Sequence, residues 1–142
     1  MERMLNLAIE IATKAHSGQY DKGGKPYILH PIRVAESVKT TKQKIIAYLH
    51  DVCEDSSITF DDLLNQGFSE EIVDCIRILT RKRGTGYFKY IEMIKQNEDT
   101  RCVKIADLKH NSDISRITNP TPYDFSRLEK YKKALEILEN ID

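Results

Sequence analysis

The sequence predicts an all-α fold, on three observations. Apolar residues recur at helical spacing in successive segments, capping residues, glycines and prolines separate those segments, and no run alternates β-branched with polar residues between turn signals. With 142 residues, 40% of them apolar, the chain has the length of one domain and enough apolar surface for a core without disulfide or metal staples. A single domain over residues 1–142, a compact bundle of about seven to eight helices, is therefore expected.

Leu5, Ala8, Ile9, Ala12 and Ala15 place an amphipathic helix over residues 2–16. Gly18, Gly23, Gly24 and Pro26 make residues 17–29 an ordered loop. Pro31 suits the first turn of a second helix through Ile32, Val34, Ala35 and Val38, because its missing N–H costs nothing there. Thr40 or Thr41 caps a third helix running to about Asp55, and Thr59 with Asp62 resembles a capping box for a short fourth, ended by Gly67. Ser69 caps a helix carrying Ile72, Val73, Ile76 and Leu79, which the basic, Gly-containing run 81–86 ends in a turn. Further helices are expected over 87–96, from Asp99 or Thr100 to about Ser115, and over 123–141, with Asn119, Pro120 and Pro122 marking the last loop.

Composition excludes several classes of function. The 22 basic and 22 acidic residues cancel, which argues against a dedicated polyanion binder, since nucleic-acid domains carry a basic excess. Cys53, Cys75 and Cys102 form no C-x-x-C pair, so neither a disulfide framework nor a cysteine zinc site is encoded, and a cytoplasmic setting fits. Asn6 and Glu10 interrupt the only candidate for a signal-peptide core, and the longest apolar run, Ile45 to Leu49, is far short of the roughly 20 residues of a membrane helix. Neither export nor a membrane partner is expected.

Chemistry concentrates in three segments. In a continuous helix over Ile45 to Asp55, His50, Asp51, Glu54 and Asp55 would share an arc of about 140°, opposite an apolar arc of Ile45, Ile46, Leu49, Val52 and Cys53. Carboxylates that close repel one another unless a cation sits among them. Tyr27-Ile28-Leu29-His30-Pro31 puts a histidine at a loop-to-helix junction that the proline stiffens. Lys104 to Asn111 is a mainly apolar helical stretch with Asp107 inside it and Asn111 one turn on; a buried aspartate needs a cation or several hydrogen bonds. His30, His50, Asp51 and Asp107 together make a mixed nitrogen and oxygen set suited to manganese, iron, cobalt, nickel or zinc more than to calcium or magnesium.

At these residues the chain resembles the HD superfamily of metal-dependent phosphohydrolases, and within it the hydrolase domain of the RelA/SpoT alarmone enzymes. The resemblance runs in order through Ala15-His16-Ser17-Gly18-Gln19, Lys22, Pro26 to Pro31 with Val34-Ala35, Leu49 to Ser56, Leu79-Thr80, and Lys104 to Asn111. It implies an all-helical fold in which His30, His50, Asp51 and Asp107 hold one metal, usually manganese. It further implies that Glu54 and Asp55 flank the attacking water, and that Lys22 and Asn111 contact phosphate and nucleotide. A metal that acidifies water beside a carboxylate able to take its proton accounts for those residue types.

The chain departs from the family pattern at Asp21-Lys22, where alarmone hydrolases carry Arg-Lys, and at Leu108-Lys109, where they carry arginine then leucine. Lys25, Arg101, Lys104, Lys109 and Arg116 read as solvated charges or phosphate contacts, His16 and His110 as structural, and Tyr87, Phe88 and Tyr90 as core or interface. Nothing after Asp142 would make a synthetase, so a stand-alone hydrolase is expected. The leading reading is a manganese-dependent hydrolase of a 3′-pyrophosphorylated guanosine. The alternatives are hydrolysis of another small nucleotide, such as NADPH, and a non-catalytic metal- and nucleotide-binding sensor.

Overall fold

The computed structural model describes residues 1–140, in the order α1 (Glu2–Ala15), α2 (Leu29–Glu36), α3 (Thr41–Leu49), α4 (Val52–Asp55), α5 (Phe60–Asn65), α6 (Glu70–Leu79), α7 (Tyr87–Lys95), α8 (Glu98–Asn111) and α9 (Pro122–Glu139), with a 3₁₀ turn at Ile114–Arg116 between the last two. No strand occurs among the described residues; a lone antiparallel bridge between Tyr20 and Pro26 closes the loop before α2. No described helix is long and apolar enough to cross a membrane.

Helix α3 is the hub. Ile45, Ile46, Ala47 and Leu49 are wholly buried, because α1, α2, α6 and α8 pack around this one short helix. Burial of each large side chain contributes about 1.5–3 kcal/mol. Helix α9 closes the other side against α7 and α8, burying Ala134 and Leu138, and α5 rests on α6. The expected caps form: Thr40 accepts from the Gln43 amide, Ser69 from Ile72, and Thr59 with Asp62 completes a reciprocal capping box.

Several expected boundaries move, and the second helix ends at Glu36, short of Val38. The helix expected to run unbroken to Asp55 breaks at His50 and Asp51, and this break accounts for the helix beyond the expected seven or eight. His50 Nδ1 lies 2.5 Å from the Ala47 carbonyl, the acceptor that the Asp51 amide would use in a continuous helix. Helix α8 begins earlier than expected, because Asn97 rather than Asp99 or Thr100 is the cap, and it ends at Asn111 instead of Ser115. There Asp113 caps the separate 3₁₀ turn. The continuation of the last helix to Ile141 lies outside the described residues.

The loop between α1 and α2 is clamped onto that 3₁₀ turn. Asp21 accepts from the amides of Gly23 and Lys25 and pairs with Arg116, 3.4 Å away. Gly23 packs so closely on the turn that a Cβ there would stand 2.1 Å from the Arg116 carbonyl oxygen. Gly23→Ala is expected to destabilise the protein by about 1–3 kcal/mol, the usual cost of forced overpacking, read as a lower midpoint in thermal or urea denaturation. An unchanged midpoint would show that the loop yields freely.

Candidate metal centre

Asp107 sits in the middle of α8, on the face that the bundle covers. His30 enters from the first turn of α2, and His50 from the end of α3. These three residues are only 2–5% exposed, and one ligand atom from each lies within 4.8 Å of the others. His30 Nε2 is 2.7 Å from Asp107 Oδ1; His50 Nε2 is 3.4 Å from the same oxygen and 3.1 Å from Asp51 Oδ2. Asp51 Oδ2 stands 3.9 Å from His30 Nε2, so the fourth expected ligand lies beside the cluster that the other three form.

The break after α3 makes this convergence possible. It turns His50 and Asp51 inward and leaves Glu54 and Asp55 on exposed α4. Sequence periodicity could not show this, since the shared arc presumed a continuous helix.

Burial raises the pKa of a carboxylate, yet Asp107 is held well below the usual range by Lys104 and by the two imidazoles. Lys104 Nζ donates to Asp107 Oδ2 at 2.9 Å and Asn111 Nδ2 to Oδ1 at 3.1 Å. Burial likewise raises Asp51, and His50 overcomes it, so Asp51 also lies low. Burial opposes a charge on His50, but Asp51 and Asp107 outweigh it and push its pKa up. In this arrangement a proton on His50 supplies positive charge between two carboxylates.

A divalent ion fits the same position. His50 Nε2 is buried and, despite its nearness to both carboxylates, has no aligned hydrogen-bond partner. With Nδ1–H donated to Ala47, the Nε2 lone pair points into the cluster. His30 is oriented in the same way, its Nδ1 lying 2.7 Å from His110 Nδ1. Burial and then Arg116 bring His110 down to about 4, so it is neutral and accepts the His30 Nδ1–H. Tyr27 donates to Asp51 Oδ2 at 2.6 Å, and burial together with Asp51 raises its pKa, keeping the hydroxyl protonated. This mixed nitrogen and oxygen donor set could hold a divalent metal.

Two recesses open beside the cluster. The first, about 280 Å³, is lined by His30, Asn111 and residues of the α1–α2 loop, the 3₁₀ turn and α9. The second, about 200 Å³, holds Glu54, Lys104 and Asp107 and meets the first at Asn111 and Tyr131.

The HD domain family matches residues 8–111, which hold every one of these metal-centre residues. The chain belongs to the HD domain family. The guanosine-3′,5′-bis(diphosphate) 3′-pyrophosphohydrolase of Borreliella burgdorferi is 40% identical over 119 residues, 73% of this chain and 18% of that protein. A probable GTP pyrophosphokinase of Mycobacterium leprae is 30% identical over 147 residues, 94% of this chain and again 18% of that protein. The chain thus spans about a fifth of the length of these curated relatives. A solved structure described as a metazoan ortholog of SpoT that hydrolyzes ppGpp superposes with a TM-score of 0.76 at 20% identity, over 98% of this chain and 87% of that one, so the fold is shared.

Within this HD domain the remaining expected site residues divide. Asn111 lies at the centre, bonded to Asp107. Glu54 lines the second recess, whereas Asp55 lines neither and is tethered through its carbonyl to Gln19. Partial desolvation, then repulsion from Asp51, raises both carboxyls, though each keeps solvent contact and the effect is correspondingly limited. Lys22 stands at the rim of the first recess, paired with Asp124 at 2.8 Å. His110, read as structural, orients a candidate ligand, and Tyr87 and the buried Tyr90 both line the second recess. Residues missed in the sequence are Tyr27, Arg127, Lys130 and Tyr131; the helical spacing of Tyr123, Arg127 and Tyr131 was the available signal.

Titration calorimetry of the metal-free chain with manganese is expected to show a single site that His50→Ala removes. His110→Ala, which touches no ion, should weaken it about 10–100-fold. Unchanged affinity in that variant would deny His110 its orienting part.

Proposed function

We propose that the chain is a manganese-dependent phosphohydrolase that removes pyrophosphate from the 3′ position of guanosine 3′,5′-bis(diphosphate). The observation that carries this reading is the convergence of His30, His50, Asp51 and Asp107 around the orphaned His50 Nε2, with the carboxylate of Glu54 in the adjoining recess. The names of the relatives support the substrate. The free cysteines Cys53, Cys75 and Cys102 support a cytoplasmic setting, and residues 1–142 are read as one phosphohydrolase domain.

A bound divalent ion would acidify water and neutralise charge on a phosphoryl oxygen. His30, His50, Asp51 and Asp107 would hold it. Glu54, with its raised pKa, takes the proton of the attacking water, and Asp55 adds negative field beside it. The water oxygen bonds to the proximal phosphorus, the bond from phosphorus to the ribose 3′ oxygen breaks, and a proton passes to that oxygen. Asn111 and Lys22 face the nucleotide from the first recess.

A second reading, hydrolysis of a different small phosphorylated nucleotide such as NADPH, is favoured by Asp21. Its carboxylate is committed to Arg116 and to two loop amides, and it supplies no guanidinium.

Product analysis with manganese-loaded protein on guanosine tetraphosphate, NADPH and nucleoside triphosphates separates the readings. Release of pyrophosphate from the tetraphosphate is expected. Glu54→Gln with Asp55→Asn should reduce turnover by at least about 10²–10⁴-fold while manganese still binds. Cleavage of another nucleotide alone would transfer the assignment to that nucleotide. Nucleotide binding without turnover would make the domain a sensor.

A further inference from the structure

His16 is the one buried histidine that the chemistry proposed above leaves unused. It closes α1 and is only 2% exposed. Gly18, at a φ of +81°, turns the chain back there, and the Gln19 backbone amide donates to the His16 carbonyl at 3.0 Å. Every polar group of Gln19 is then engaged. Its backbone carbonyl accepts from the Tyr27 amide at 2.9 Å, and its side-chain Nε2 donates to two carbonyl oxygens, that of Ala15 at 3.2 Å and that of Asp55 at 2.9 Å. Carbonyl oxygens only accept, so they fix which end of the side-chain amide is nitrogen and leave Oε1 facing His16 Nδ1 at 2.9 Å. His16 therefore carries a proton on Nδ1 and donates it to Gln19. Its Nε2 is buried with no hydrogen-bond partner, so the bond to Gln19 is the only polar tie of the ring.

The same ring reaches the site along a second line. It packs against the Tyr27 ring, with centroids 4.8 Å apart, and the Tyr27 hydroxyl donates to Asp51 Oδ2 at 2.6 Å. Asp51 immediately precedes α4 and Asp55 ends it, so the two lines hold opposite ends of one segment. Four residues are too few for a helix to sustain itself, because nucleation is costly and so short a helix repays it with few bonds. Within α4 only Val52 is buried, and Ser56 Oγ closes the segment on the Val52 carbonyl without tying it to anything outside. The carbonyls at a helix end lack partners within the helix, and Gln19 supplies the one at Asp55. Where α4 stands is thus set from outside, by Val52 in the core and by the two ties that meet at His16.

We propose that His16 and Gln19 are positioning residues for the hydrolysis: His16 fixes the Gln19 amide, Gln19 holds the end of α4, and together they set the reach of Glu54 toward the attacking water. The proposal rests on the hydrolase reading, in which Glu54 takes the proton of that water. Neither side chain lines either recess or belongs to the metal cluster, so both act through α4. Their loss should therefore slow the chemical step and spare the binding of metal and nucleotide.

The test uses the full manganese-loaded chain and the nucleotide it cleaves among guanosine tetraphosphate, NADPH and nucleoside triphosphates. Gln19→Met keeps the length of the side chain and removes its donors and its acceptor. It is expected to lower kcat by about 10–100-fold, the scale of a roughly 1 Å misplacement, with KM and manganese affinity close to wild type. In hydrogen–deuterium exchange the amides of α4 should lose protection while those of α3 and α8 keep theirs. His16→Ala should reproduce the loss of kcat, and His16→Asn, whose side-chain N–H can stand where Nδ1–H stands, should recover most of it. Should His16→Ala melt early, the half-buried Gln19 carries the same readout. Wild-type kcat in Gln19→Met overturns the positioning role and leaves the hydrolase reading standing. A parallel loss of kcat, manganese affinity and melting temperature makes the contact structural alone and overturns that role too. If the wild type turns over no nucleotide, the hydrolase reading falls and exchange decides the anchor by itself: faster in α4 of Gln19→Met it stands, unchanged it falls.

Discussion

A carboxylate buried in the middle of a core helix is the constraint from which the rest of this structure follows. Asp107 occupies a position of α8 that an apolar residue would fill at no electrostatic cost, and left unpaired its charge would cost several kcal/mol. The fold meets that cost from three directions. Lys104 comes from the preceding turn of α8, Asn111 from the following one, and His30 and His50 from α2 and α3. Both imidazoles are in turn fixed by acceptors behind them, His110 and the Ala47 carbonyl, so their inner nitrogens face one small volume. The packing of α2, α3 and α8 is thus the mechanical support of the site as well as the core of the protein.

Charge divides the surroundings of this centre into two halves with different work to do. On the side of the α1–α2 loop, acids and bases pair with one another and the surface is close to neutral. On the side of α4, α7 and α9 Arg81 and Lys130 lie over the Tyr87 ring, while Lys104 is paired with Asp107.

The loop at Asp21 is tied to the surroundings of the His30–His50–Asp107 cluster through Arg116. Asp21 draws Arg116 across from the 3₁₀ turn, and Gly23 lets the two backbones touch, so a guanidinium lines the first recess from the opposite wall. Arg116 also donates to the His110 carbonyl, which joins this clamp to the end of α8. A change in loop sequence therefore reaches the metal side of the site through one side chain.

Much of this was legible in the chain alone. Capping residues at Thr40, Thr59 and Ser69 and the spacing of apolar residues located the helices, because both are local properties of the backbone and its neighbours. Asp107 in an apolar helix, His30 before Pro31, and the His50-Asp51 pair marked the centre, because polar groups in apolar settings require partners. Only the tertiary structure decided that the helix breaks at His50, that Glu54 and Asp55 part company, that Lys22 is spoken for by Asp124, and that Arg81 and Lys130 meet at one recess. Lys22 and Asp124 are 102 residues apart, and Arg81 and Lys130 belong to segments that only the packing of α7 on α9 makes neighbours. Electrostatic partners are chosen by distance in space, and that distance is a property of the folded chain.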